Sequence, residues 1–223
     1  EKGKLKKFDR VVANPMWNQP GFNEQDYNND EFDRFPSGAG YPGGKADWGW
    51  MQHILASLNK KGKAAVVLDT GAASRGSGNA NTNNLIESVI YLPENLFYNT
   101  SAPGIIIVLN KIKNNQQKNK LLLINTSKEF VKGDPKNYIT DEGIERITAT
   151  FLKWKETEKF SKIIDKKEIV KNDYNISPSR YIQVTDDEVY RPIGEIVEEL
   201  KVLEDEAKTI DKELRDILTK LGF

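Results

Sequence analysis

The chain has 223 residues, 38% of them hydrophobic, with 33 lysines and arginines balanced by 33 aspartates and glutamates. That length can bury a real core, which excludes whole-chain disorder, and zero net charge argues against gripping nucleic acid by bulk electrostatics alone. The absence of cysteine and the single histidine, His53, exclude disulfides, thiolate or His-rich metal sites and a cysteine nucleophile.

Residues 8–14, FDRVVAN, read as a buried strand that Pro15 ends, because proline cannot continue a central ladder. The Asn-, Gly- and Pro-rich stretch 17–44 reads as a long loop, a length usually tied to function. Residues 45–59 predict a helix, with Trp48, Met51, Leu55 and Leu58 at helical spacing. Strands follow at 63–69, 85–92, 104–112 and 120–125. Helix followed by closely spaced strands predicts an α/β sheet that finishes with an antiparallel element. Residues 140–154 predict a helix with a Thr140 cap, Asp141 and Glu142 in its first turn, and a stripe of Ile144, Ile147, Phe151 and Trp154. Residues 160–190 read as mixed and short-ranged. From Pro192 the apolar residues Ile193, Ile196, Leu200, Leu203, Ala207, Ile210, Leu214, Ile217 and Leu221 alternate spacings of 3 and 4. That period predicts a helix of roughly 40 Å with a coiled-coil seam for a partner. No apolar run approaches the ~20 residues of a membrane span, and EKGKLKKFDR does not resemble a signal peptide; the expected location is the cytoplasm.

The strongest chemical signal is Asn14-Pro15-Met16-Trp17 at the end of the first strand. Loops at the carboxyl ends of strands are where open α/β sheets bind ligands. An adenine amine is a poor nucleophile because its lone pair is delocalised into the ring. The side-chain oxygen of Asn14 can accept one amine hydrogen and the carbonyl of Pro15 the other. Two acceptors aimed at one amine favour a pyramidal nitrogen, and Trp17 offers a flat face for an extruded base. Such a mechanism requires neither a metal nor a strong general base. A turn-forming Asn-Pro followed by a packing Trp is the competing structural reading. Arg75, in the run SRGSG, is either a phosphate contact or a solvated loop residue. His53, inside a predicted helix, reads as a packed or surface residue rather than a catalytic one.

FDRVVANPMW resembles motif IV of amino-group DNA methyltransferases, usually Asn-Pro-Pro followed by Tyr, Phe or Trp. The ordered series KADWGWMQHIL, GKAAVVLDTGAASRGSG, LIESVIYLPENLFYNTSAPGIIIVLNK, INTSKEF, NYITDEGIERI and NDYNISPSRYI resembles the modification subunit of type I restriction-modification systems over nearly the whole chain. The resemblance implies the C-terminal half of a Rossmann-like methyltransferase sheet, here residues 1–128. A mixed extension over 129–191 and an assembly helix over 192–223 would follow. It implies methyl transfer from S-adenosylmethionine to the 6-amino group of adenine in DNA, with Asn14, Pro15, Met16 and Trp17 catalytic and Asn14, Lys45, Asp47 and Trp48 near the cofactor. The implied partners are a specificity subunit that reads the sequence, a motor-nuclease subunit, a second modification subunit and duplex DNA with a flipped adenine. The alternatives are an amino-group methyltransferase acting on protein glutamine or RNA, and a non-catalytic assembly fragment.

Three departures stand out. Met16 replaces the usual second proline; that position is less tied to the two acceptors, so activity is expected to survive. The family's glycine-rich cofactor loop and its acidic ribose partner are expected upstream of Glu1. Only NANTNN, residues 79–84, stands where the family carries another helix.

Overall fold

The anticipated apolar runs become strands of one six-stranded sheet. The computed structural model describes residues 3–28, 30–35, 42–74, 84–184 and 193–220, so Arg75 and most of the segment 79–84 lie outside the described residues. In chain order the strands are β1 (Phe8–Ala13), β2 (Leu58–Asp69), β3 (Ile86–Tyr91), β4 (Gly104–Asn110), β5 (Lys120–Asn125) and β6 (Ser161–Asp165). The helices are α1 (Glu24–Asn28), α2 (Asp47–Ser57), α3 (Asp141–Lys153), α4 (Lys166–Lys171), α5 (Pro178–Tyr181) and α6 (Ile193–Lys220), and one 3-10 turn spans Thr70–Ala73.

The strands lie in the order β1-β2-β4-β3-β5-β6. β1 runs parallel to β2, with Arg10 opposite Lys63 and Ala13 opposite Val66. β4 is inserted antiparallel between β2 and β3, β5 runs parallel to β3, and β6 closes antiparallel on β5. The predicted antiparallel finish is therefore present twice. Because β4 is reversed, its first residue, Gly104, pairs with Asp69, the last residue of β2. The carboxyl end of β2 and the amino end of β4 thus share one edge of the sheet.

Both faces of the sheet are covered. On one, Trp48, Met51 and Ile54 of α2 pack against Val66, Leu68, Ile105 and Ile107, joined by Ile169 of α4 and by Ile176 and Ile182 beside α5. On the other, Ile147 and Phe151 of α3, with Trp154, cover Ile90, Leu122, Ile124 and Phe160. Central β3 and β5 are accordingly almost wholly buried, whereas β1 is an edge strand whose Val12 is 84% exposed. The expectation of a buried first strand holds only as far as Val11 and Ala13, which pack against the core.

The helix boundaries have local causes. Thr140 accepts from the Gly143 N–H at 3.2 Å, satisfying a first-turn donor of α3, and Trp154 ends it in the left-handed conformation. The helix over 45–59 is shorter than predicted: α2 stops at Ser57 and β2 starts at once. Leu58 already faces Phe8, and Gly62 allows the close packing that follows, since a Cβ there would lie 2.8 Å from Cβ of Leu58. The loop over 17–44 contains the unpredicted helix α1.

Within residues 129–184, β6 pairs along β5 and so joins the sheet. By compactness the chain divides into Glu1–Val184 and Thr185–Phe223. The second unit holds α6, 28 residues long, with Ile193, Ile196, Leu200, Leu203, Ile210, Leu214 and Ile217 all exposed. Among the described residues no helix is long and apolar enough to cross a membrane.

Candidate active site

Asn14, Pro15, Met16 and Trp17 form the turn that leaves β1 at its carboxyl end. Asn14 and Met16 are exposed, while Pro15 and Trp17 are half-buried. The indole N–H of Trp17 donates to Oδ1 of Asn14 at 3.1 Å. An indole nitrogen can only donate, so this contact fixes which end of the amide faces Trp17. Oδ1 retains a second lone pair, and a further hydrogen can still be accepted there.

Trp17 is itself held from behind. The Phe97 ring meets it edge-on, with centroids 4.6 Å apart and planes at 76°. Gly104 leaves room for both rings: a Cβ on it would fall 2.9 Å from Phe97 and 3.0 Å from Trp17. Neither contact is visible in the sequence, because the residues are about 80 positions from the motif and nothing in their spacing links them. A glycine opening an otherwise apolar strand is the one available hint.

The segment after the motif is tied to the start of α2. The Asn18 N–H donates to Oδ1 of Asp47 at 2.9 Å, Ala46 N–H to the Gln19 carbonyl at 3.0 Å, and Pro20 bridges to Lys45. Lys45 and Asp47 are therefore brought next to the residues that follow Trp17. Asp47 is buried, and its carboxylate braces the turn. Trp48 is also buried, with its indole N–H on the Ala72 carbonyl at 3.2 Å, which locks α2 to the 3-10 turn after β2. Its nitrogen serves packing. The structure thus groups Asn14 to Trp17 with Lys45, Asp47 and Trp48 at one end of the sheet. Among these, Asn14 is the exposed amide. His53 lies on α2 with its Nδ1 3.3 Å from the Arg34 guanidinium. Burial, reinforced by the charge of Arg34, holds its pKa below the ordinary value, although Asp30 acts in the opposite sense.

No group of three or more His, Cys, Asp or Glu side chains suited to a metal occurs among the described residues. The chemistry available at the turn is hydrogen-bond acceptance beside an aromatic ring. That set fits the amine side of a methyl transfer. Lys45 is the cation of this group, and Oδ1 of Asn14 is its exposed acceptor.

Residues 1–189 match the family model described as N-6 DNA Methylase. The chain is 42% identical over 211 residues to the type I restriction enzyme MjaVIII methylase subunit of Methanocaldococcus jannaschii, covering 90% of this chain and 36% of that protein. It is 36% identical to the MjaVII methylase subunit of the same organism, covering 91% of this chain and 37% of that protein. Among solved structures, it superposes with a TM-score of 0.70 on the type I restriction-modification system methyltransferase subunit from Streptococcus thermophilus, at 31% identity, covering 80% of this chain and 39% of that one. The chain spans a little over a third of the length of the two curated relatives.

Proposed function

Since the chain belongs to the N-6 DNA Methylase family, we propose that it carries the amine-activating part of a DNA adenine methyltransferase, the modification subunit of a type I restriction-modification complex. The observation that carries this reading is the Asn14–Trp17 turn, with an exposed amide whose oxygen is already oriented by a fixed indole. Bound S-adenosylmethionine supplies an electrophilic methyl on a positively charged sulfur.

The residues of this chain act on the base. Oδ1 of Asn14 accepts one hydrogen of the adenine 6-amino group, and the Pro15 carbonyl accepts the other. Drawing both hydrogens to one side rehybridises the nitrogen and turns its lone pair outward. This is stabilisation of charge where it develops, since the amine becomes more acidic as it attacks. Bound S-adenosylmethionine would offer that lone pair its methyl group with the sulfur as leaving group, and the amine would shed one proton to solvent. Trp17 holds the base by stacking and holds Asn14 by hydrogen bonding. Met16, exposed between them, completes the catalytic turn.

Partners are assigned by the same reading. The exposed seam of α6 suits a helix of the specificity subunit. That subunit and the motor-nuclease subunit, with a second modification subunit, supply the grip on duplex DNA that a chain of zero net charge lacks. The complex works in the cytoplasm.

The test mixes methyl-labelled S-adenosylmethionine with the full-length subunit, its specificity subunit and target DNA. Label is expected on adenine N6, and it is expected to vanish with Asn14→Ala. Label on protein or RNA instead, or no cofactor binding by the full-length chain, overturns the reading.

A further inference from the structure

The sheet edge opposite the Asn14–Trp17 turn is strongly basic. Residues 3–7, 58–63 and 111–120 carry three, three and four lysines and no carboxylate. The fold gathers these segments. Phe8 faces Leu58 across the β1–β2 pair, the Lys111 N–H donates to the Gly62 carbonyl at 3.2 Å, and the Lys111 ammonium donates to the Leu58 carbonyl at 2.8 Å. At the same edge lies a cavity of about 20 Å³, lined by Asn84, Lys113, Asn119, Lys120 and Lys166 together with apolar side chains of β3, β5 and α4. Three lysines line it and no carboxylate does. Its volume holds one particle of about the size of a water molecule.

Lys113 is the buried member of the three, only 7% exposed. Its ammonium donates to the Lys120 carbonyl at 2.7 Å and to Oδ1 of Asn84 at 3.2 Å. Both acceptors are neutral, and both belong to residues that line the cavity. An ammonium has a third hydrogen to donate, and a buried charge is costly unless it is paired. The neighbouring carboxylates are engaged elsewhere. Glu87 accepts from the Asn110 amide at 3.0 Å and meets Lys63 at 3.4 Å. Asp165, opposite Lys120 across the β5–β6 pair, accepts the Glu168 N–H at 2.9 Å. Burial accordingly lowers the Lys113 pKa to about 8, against an upward pull from Glu87. The three lysines repel a metal ion. Water fits the volume but leaves the charge unmatched, and phosphate and sulfate are too large for it.

We infer that this cavity binds one small monovalent anion of the halide class, such as chloride, which accepts the third ammonium hydrogen of Lys113 beside Lys120 and Lys166. The ion ties the amino ends of β3 and β5 to the carboxyl end of β6. The inference goes beyond the proposed function and does not rest on it.

The test melts the full-length chain in sodium chloride and, at matched ionic strength, in sodium gluconate, whose anion is too large to enter. A saturable rise in the thermal midpoint is expected with chloride alone. Lys113→Met is expected to weaken chloride binding about tenfold, the loss of one charge-assisted hydrogen bond. Lys166→Gln is expected to weaken it about threefold, because that lysine is exposed. Crystals of the unaltered chain grown in sodium bromide supply a readout that needs no variant to fold, and an anomalous peak is expected beside the Lys113 ammonium. No bromide peak there overturns the inference and leaves water in the cavity. A midpoint that chloride and gluconate raise alike, or a chloride response that both substitutions leave unchanged, overturns it too. None of these readouts involves methyl transfer, so failure of the anion site and failure of the proposed reaction are separately visible.

Discussion

At the scale of single residues, the proposed reading gives Trp17 two separable tasks, and a conservative change divides them. Trp17→Phe keeps a flat ring but removes the N–H that holds Oδ1 of Asn14. A typical hydrogen bond is worth about 1 kcal/mol net, so the maximal methylation rate is expected to fall roughly fivefold. Target binding should stay close to normal, because the stacking face survives. Steady-state kinetics check this; a raised KM with unchanged kcat would assign Trp17 to binding alone. Lys113 gives a second residue-level prediction. Its ammonium sits on the Lys120 carbonyl at 2.7 Å and on Oδ1 of Asn84 at 3.2 Å. Burial lowers its pKa to about 8, while nearby Glu87 pulls it back upward. The unfolded chain therefore binds more protons between about 8 and the ordinary 10.5, and stability contributed by this group climbs with pH across that window. Urea midpoints measured through the window should rise less steeply in Lys113→Met. The remaining slope belongs in part to Lys111, whose pKa burial also lowers.

Among the elements, α3 offers the clearest stability test. Its start depends on the Thr140 side chain, with Asp141 and Glu142 adding favourable charge at the positive end of the helix dipole. Thr140→Ala is expected to cost about 1 kcal/mol, read as a lower thermal midpoint, whereas Thr140→Ser should cost little. The cap was legible in the sequence because capping is local chemistry: a Thr followed by acids and a 3.6-residue stripe. The strands were legible for a related reason, since runs such as IIIVLN and LLLIN suit burial on both sheet faces. What adjacent sequence could not show was pairing across distance. The reversal of β4, the bracing of Trp17 by Phe97 and the engagement of Asp47 with Asn18 all join residues far apart in the chain. The helix α1 escaped detection because five residues are too few to display a period, and the end of α2 was misplaced because Leu58 continues the helical stripe while belonging to β2.

For the whole molecule, the chain divides between Val184 and Thr185, and the proposed function assigns the two units different tasks. The first unit carries the sheet and the Asn14–Trp17 turn, and the second carries a helix with an exposed apolar seam. Deleting residues 193–223 is therefore expected to leave the thermal unfolding of the remainder within a few degrees of the parent while abolishing co-purification with the specificity subunit. Retained co-purification would remove α6 from assembly. Zero net charge, which first argued against contact with DNA, is compatible with a subunit that shares its grip with partners. Pro15 also governs how such a molecule ages. An exposed asparagine ordinarily loses its amide when the next backbone nitrogen attacks the side-chain carbonyl and closes a five-membered imide. Proline has no backbone N–H to give up. That ring cannot form at Asn14, so the exposed amide on which the site depends is shielded from deamidation by the residue that follows it.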